Sequence, residues 1–156
     1  RTASDGEETL RSLDSDVGVV VLDRRMPGLS GDEVLDWIRS QRYDIRVVIV
    51  TSEDVDLELL DMGFDEYLTK PLRKTELREV VADLFERREY DAQLQEYLAL
   101  QSKLGLLRAA YLDDTLASHE LYQRLQDRLD DLEPTDEEIE DIDTETLTRL
   151  PIGNPQ

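Results

Sequence analysis

Residues 19–31, VVVLDRRMPGLSG, decide how the rest of the chain is read. Four apolar residues run into Asp23. Arg24 and Arg25 follow, and then the turn-forming Met26-Pro27-Gly28. A short, continuous, β-branched run bounded by turn residues predicts a strand buried on both faces. A carboxylate where such a strand gives way to a loop stands where open α/β sheets bind their ligands. Asp23 alone is open to two readings: an acid that ends a strand and starts a turn, or a group that does chemistry.

The segments on either side repeat the theme. GEETLRSLD (6–14) predicts a short amphipathic helix and VGVVVLD (17–23) the buried strand. DEVLDWIRSQ (32–41) carries Val34, Leu35, Trp37 and Ile38 at helical spacing. RVVIVTS (46–52) predicts a second strand, EDVDLELLDMG (53–63) a helix stopped by Gly63, and EYLTK (66–70) a third strand ended by Pro71. KTELREVVADLFERR (74–88) predicts another helix, with Leu77, Val80, Val81 and Leu84 on one face. Strand and helix alternating at this interval predict right-handed βαβ units and a parallel sheet with helices on both faces.

The pattern changes near residue 89, beyond which no strand signal remains. Residues 91–112 predict a long helix with two overlapping stripes. One is Leu94, Tyr97, Gln101, Leu104, Arg108 and Tyr111; the cleaner one is Leu100, Leu104, Leu107 and Tyr111. DDTLAS (113–118) predicts a turn, with Ser118 as N-cap of a last helix that carries Tyr122, Leu125, Leu129 and Leu132. The two helices read as an antiparallel hairpin. His119, the one histidine, sits before the last helix with no acid or nucleophile arranged around it. Residues 134–156 are acidic, offer little to pack, and read as disordered.

Bulk properties narrow the function classes. The chain has 156 residues, room for one ordinary domain or a small domain with an appendage. It has no cysteine, which excludes disulfides, thiolate catalysis and cysteine metal sites. No apolar run approaches the roughly 18 residues of a membrane span, and no secretion signal opens the chain. The cytoplasm is the expected compartment. With 38 acids against 18 bases the net charge is −20, which argues against nucleic-acid phosphates and anionic lipids as partners. Its only lysines are Lys70, Lys74 and Lys103. Acid-rich, lysine-poor composition resembles that of proteins from salt-accumulating halophiles.

Asp23, Thr51 and Lys70 each stand at or just past the carboxyl end of one predicted strand. In a parallel sheet these ends open on one side. A carboxylate, a hydroxyl and an ammonium converging there can form a small phosphoryl site. The acid serves as nucleophile and metal ligand, the hydroxyl bonds a phosphoryl oxygen, and the ammonium pairs with its charge.

The segment from Arg1 to Arg88 resembles the receiver domain of two-component response regulators, through TASDGEE, VVVLDRRMPGLSG, VVIVTS and GFDEYLTKP. The resemblance implies a flavodoxin-like, doubly wound parallel sheet. It makes Asp23 the phosphoacceptor, Thr51 the switch hydroxyl, Lys70 the phosphoryl-binding lysine and Tyr67 the aromatic that turns inward as Thr51 moves. Lys70–Pro71 corresponds to the family's cis peptide, and the main-chain carbonyl of Arg25 to a Mg²⁺ ligand. The family pattern opens with a strand ending in a pair of metal-binding acids, followed by a helix. Neither is among these 156 residues. The expectation is therefore that residues lie upstream of Arg1, and that this chain by itself binds Mg²⁺ weakly or not at all. Arg24 and Arg25 are unusual beside the acceptor. Arg25 is either a solvated arginine or a group that bonds or shields the phosphoryl, and Glu53 rims the same mouth.

REYDAQLQEYLALQSKLGLLRAAYL followed by SHELYQRLQDRLDDLE resembles the HalX domain found after receivers in haloarchaeal regulators. The expected organisation is a partial receiver at 1–88, a helical HalX-like domain at 89–133 and an acidic tail at 134–156. The implied function is a phosphoacceptor switch and not an enzyme. A sensor histidine kinase phosphorylates Asp23, and partner or homodimer contacts through helical surfaces respond. The alternatives are a phosphorylation-independent scaffold with a degenerate receiver, and a transcription regulator that binds DNA through the helical module.

Overall fold

A computed structural model of the chain describes residues 1–54, 56–87, 92–111, 113–132 and 134. Its elements are α1 (Gly6–Ser12), β1 (Val19–Asp23), α2 (Gly31–Ser40), β2 (Arg46–Thr51), α3 (Leu57–Leu60), β3 (Glu66–Thr69), α4 (Lys74–Glu86), α5 (Ala92–Ala110), α6 (Asp113–Ala117) and α7 (Glu120–Asp131). They fall into two compact units. The first is Arg1–Glu53 with Glu58–Glu86; the second gathers Asp54–Leu57 and the described residues from Arg87 onward.

The first unit is built on a three-stranded parallel sheet of order β1-β2-β3. Val20 lies opposite Val47, Asp23 opposite Val50, and Thr51 opposite Thr69. β2 is central and almost wholly buried, which is why RVVIVT reads as an unbroken apolar run. Val48 and Val50 pack with Leu84 of α4, joined by Val19, Leu68, Leu72 and Val80. Val20, Leu22, Val47 and Ile49 alternate with these and point to the opposite face of the sheet, and all four are buried. α2 contributes the fully buried Val34, Leu35 and Ile38. β1 is an edge strand, and Val21 at its middle is 40% exposed.

Local chemistry starts and stops these elements. Asp5 caps α1 by accepting the Glu8 N–H at 2.7 Å. At α2, Ser30 accepts the Glu33 N–H at 3.2 Å while Glu33 accepts the Ser30 N–H at 2.8 Å, a reciprocal capping box. At the amino end of the sheet Asp65 is a buried tie. Its carboxylate accepts the Val47 N–H at 2.7 Å, Arg39 at 2.8 Å and Arg46 at 3.3 Å. Arg39 also donates to the carbonyls of Gly63 and Ile45. Burial lowers the Arg39 pKa from its ordinary value, against the opposing pull of Asp65.

In the second unit α5 and α7 pack through Leu100, Leu104, Leu129 and Leu132, with Tyr97, Tyr122 and Leu125 beside them. Arg108 donates to the Tyr122 hydroxyl at 3.2 Å and to Gln126 at 3.1 Å, and Arg128 forms a two-pronged pair with Glu96 at 2.7 and 2.8 Å. Both sequence stripes of α5 are represented here. The helix is buried more widely than either implies, since Leu98, Ser102, Lys103 and Gly105 are buried as well.

Several expectations need correction. The helix expected over 53–63 is limited, among the described residues, to Leu57–Leu60. Glu53 is held out of a helix because its N–H donates to the Thr51 hydroxyl and its carbonyl accepts from Tyr67. Residues 113–118 are not only a turn, since Asp113–Ala117 form α6. The N-cap of α7 is His119 and not Ser118: its Nδ1 accepts the Leu121 N–H at 3.3 Å. The expected disorder of 134–156 concerns a stretch that, apart from Pro134, lies outside the described residues.

Candidate functional site

The strands bring their polar ends to one level. The pairing continues a residue past two of them: Arg24 donates its N–H to the Val50 carbonyl at 3.1 Å, and Lys70 donates its N–H to the Thr51 carbonyl at 2.7 Å. These bonds fix Asp23, Thr51 and Lys70 side by side at the carboxyl end of the sheet.

Asp23 receives a donor on each oxygen. Oδ1 accepts the main-chain N–H of Arg25 at 2.9 Å, and Oδ2 accepts the Lys70 ammonium in a close ion pair. Burial pushes the Asp23 carboxyl up. The Lys70 hydrogen bond, the Arg25 N–H and the Lys70 charge together outweigh burial and hold its pKa below the ordinary carboxylate value. The carboxylate is thus kept ionised, as a nucleophile requires, and it is about one-third exposed. A cleft of about 820 Å³ runs along the outer edge of β1 beside α4 and opens on Asp23, Met26 and Lys70.

Thr51 is 1% exposed, and its Oγ1 accepts the Glu53 N–H at 3.1 Å. Tyr67 is already buried in this structure, at 3% exposure. Its ring lies 5.9 Å from that of Phe64, and its hydroxyl donates to the Glu53 carbonyl at 3.3 Å. The Lys70–Pro71 peptide is cis. Asp23, Thr51 and Lys70 therefore stand together at the strand ends, and Tyr67 is linked to Thr51 through the backbone N–H and carbonyl of Glu53.

Two arginines and Glu53 rim the mouth. Arg24 is mostly buried; its Nε donates to Asp32 at 3.1 Å, and its Nη1 lies 3.6 Å from Glu53. The Arg25 side chain is 77% exposed and closes on the same Glu53 carboxylate, with Nε donating at 2.8 Å and a second nitrogen in closer contact. Sequence reasoning placed Glu53 at the rim but missed its backbone role between Thr51 and Tyr67. It also missed Gly31, where an added Cβ would stand 2.5 Å from the Asp23 carbonyl oxygen and 3.0 Å from the Arg24 Cα. The one signal for Gly31 was its place directly after a serine N-cap.

The donors available to a cation are few. Among the described residues no group of three or more His, Asp or Glu is placed to hold a metal. Mg²⁺ takes about six oxygen ligands in strict geometry. The Asp23 carboxylate and the Arg25 carbonyl do not make such a set, so the residues present do not fit the ion by themselves.

Comparison with known proteins agrees with this geometry. Residues 1–82 match the response regulator receiver domain, and residues 86–150 match the HalX domain. A Haloferax volcanii protein provisionally named a transcriptional regulator is 36% identical over 91% of this chain and 27% of its own length. The alkaline phosphatase synthesis transcriptional regulatory protein PhoP of Bacillus subtilis is 33% identical over 61% of this chain and 41% of its own length. The chain thus spans less than half the length of either relative. The receiver domain of the Francisella response regulator 1452 superposes with a TM-score of 0.51 at 33% identity, covering 57% of this chain and 77% of that one. A parallel sheet whose ends gather an ionised aspartate, a buried threonine and a lysine, together with these matches, means that the chain belongs to the response regulator receiver family, with a HalX domain after the receiver.

Proposed function

We propose that Asp23 accepts a phosphoryl group from the phosphohistidine of a sensor histidine kinase, in the cytoplasm, and that the added charge is read through Thr51 and Tyr67. The carrying observation is the ion pair of Lys70 with Asp23 beside the buried Thr51 hydroxyl. In the transfer an Asp23 carboxylate oxygen bonds to phosphorus. The phosphorus–nitrogen bond to the kinase imidazole breaks, and its electron pair stays on that nitrogen, which solvent reprotonates. The ammonium of Lys70 neutralises the phosphoryl charge, and the Thr51 hydroxyl turns to donate to a phosphoryl oxygen. Thr51 then no longer serves the Glu53 N–H, and this frees the backbone of the residue whose carbonyl holds Tyr67. Phosphorylation becomes a local rearrangement with a structural readout. Asp23 is consumed once per event and reset by hydrolysis, so the chain acts as a switch rather than a turnover enzyme.

The test is the intact mass of the protein after incubation with acetyl phosphate and Mg²⁺ in molar KCl, beside Asp23→Asn. A gain of one phosphoryl group that the variant lacks supports the reading. No gain in this chain when folded, and none in a version extended at its amino end, hands the function to a phosphorylation-independent scaffold.

A further inference from the structure

α7 starts on the one histidine of the chain. His119 is its N-cap, and its Nδ1 accepts the Leu121 N–H at 3.3 Å. That bond satisfies one of the main-chain donors that every helix start leaves without a partner. An acceptor at Nδ1 means that the proton of the neutral imidazole is on Nε2. His119 is also the joint between α6 and α7. Its own N–H donates to the Leu116 carbonyl at 2.9 Å, its carbonyl accepts the Gln123 N–H at 3.1 Å, and the Gln123 side chain donates to the Ala117 carbonyl at 2.8 Å. Ser118, the neighbour with the more usual capping side chain, is engaged with α6: its hydroxyl donates to the Thr115 carbonyl at 3.2 Å.

We propose that His119 is a proton-sensitive cap, so that protonation of its imidazole uncaps α7 and loosens the helical unit. Serine, threonine, asparagine and aspartate, the usual caps, keep their acceptor from about pH 5 to 8, whereas histidine changes charge within that range. A proton on Nδ1 turns the acceptor into a donor that faces the Leu121 N–H. It also puts a cation at the positive end of the helix dipole. Leu121 is buried, and Tyr122 beside it accepts from Arg108 at 3.2 Å and packs on the α5/α7 core. Fraying of the first turn therefore reaches the seam between the two helices. The neighbouring charges pull both ways. Glu120 and Arg124 lie on α7, Asp113 and Asp114 on α6, Arg108 near the end of α5, and Tyr111 just past it. The acids favour an imidazolium and the arginines oppose it. In molar salt these Coulombic effects are screened over about 3 Å, while the loss of an acceptor is not. The hydrogen bond thus sets the sign: the cap is intact while the imidazole is neutral, and its contribution is lost as falling pH protonates it.

The experiment compares the full chain with His119→Asn and His119→Ala by thermal unfolding in molar KCl at pH 8 and pH 5, followed by the helical circular dichroism signal. Asparagine caps but does not titrate, so the difference from it at each pH cancels the carboxylates of the rest of the chain. The wild type is expected close to His119→Asn at pH 8 and several degrees below it at pH 5. His119→Ala should lie below His119→Asn by the same amount at both. The Leu121 amide proton shift of the wild type should follow the titration of the His119 imidazole, and amide exchange at Leu121 and Tyr122 should quicken in acid relative to His119→Asn. A wild type that keeps a constant offset from His119→Asn overturns the proposal. A wild type that gains on it in acid does so too, since the surrounding acids would then outweigh the lost acceptor. A drop that appears only at low salt would be Coulombic and overturns it as well. Should a variant fail to fold, the wild type decides alone: a Leu121 amide that ignores the imidazole titration means that Nδ1 is not its acceptor.

Discussion

Lys70 reaches from the end of β3 to Oδ2 of Asp23 at the end of β1, spanning the mouth of the central strand β2. The pair explains why a half-buried carboxylate is easier to ionise than a free one. It also fixes the sign of a pH effect. The pKa of Asp23 is lowered in the folded state, so its ionised form favours folding above its unfolded pKa. That contribution is lost as pH falls through the lower, folded value.

Lys70→Met removes the ammonium and leaves burial opposed only by the Arg25 N–H. The Asp23 pKa is expected to rise, and the acid loss of its contribution to start at a higher pH. Carboxyl carbon shifts in an NMR titration follow this directly. An unchanged midpoint in the variant would mean that Lys70 is not what keeps Asp23 ionised.

Gly31→Ala tests the turn that carries Asp23. The new methyl group would meet the Asp23 carbonyl and the Arg24 Cα, both backbone atoms that cannot rotate aside. Overpacking of this kind typically costs about 1–3 kcal/mol. Because the backbone displaced is that of Asp23, acetyl phosphate uptake should fall along with the urea midpoint. A variant with wild-type stability and uptake would show that the turn accommodates the methyl.

How much of this was legible in the sequence depends on range. The strand ends announced Asp23, Thr51 and Lys70 because strand ends are set by local pattern, and parallel pairing then brings them together whatever lies between. The Ser30 capping box was present in the letters SGDE but becomes visible only once the helix start is fixed. Glu53 was misread as the start of a helix because its acid-rich surroundings resemble a first turn. What overrides the local preference is tertiary: Tyr67 and the two arginines arrive from elsewhere in the chain. Asp65 was noted only as part of a motif, and its three donors lie 18 or more residues away. In α5, apolar stripes at two offsets meant wide burial rather than a choice between them.

Asp65→Ala should be among the more damaging substitutions in the first unit. It strands the buried Val47 N–H and leaves Arg39 and Arg46 without the carboxylate between them. Breaking a buried charge cluster by removing one member costs about 3–5 kcal/mol. The urea midpoint should drop sharply with the slope of the transition unchanged. A loss within the scatter of ordinary surface substitutions would show that water replaces the carboxylate at little cost.

The second unit offers a contrast between two kinds of contact. Leu104 is fully buried among Leu100, Leu129 and Leu132, so Leu104→Ala removes packing on both sides of the α5/α7 seam. Such truncations cost about 2–5 kcal/mol, which a two-helix core cannot easily absorb. The two-pronged Arg128–Glu96 pair joins the same helices, but both side chains are close to half exposed, and salt screens what they share. Thermal unfolding followed by the helical circular dichroism signal in molar KCl should therefore show Leu104→Ala lowering the transition by many degrees and Glu96→Gln hardly moving it. Since apolar burial persists in salt while exposed ion pairs fade, the reverse order would mean that charge rather than packing holds α5 to α7. Repeating both variants at low salt should enlarge only the Glu96→Gln effect, because screening acts on that contact alone.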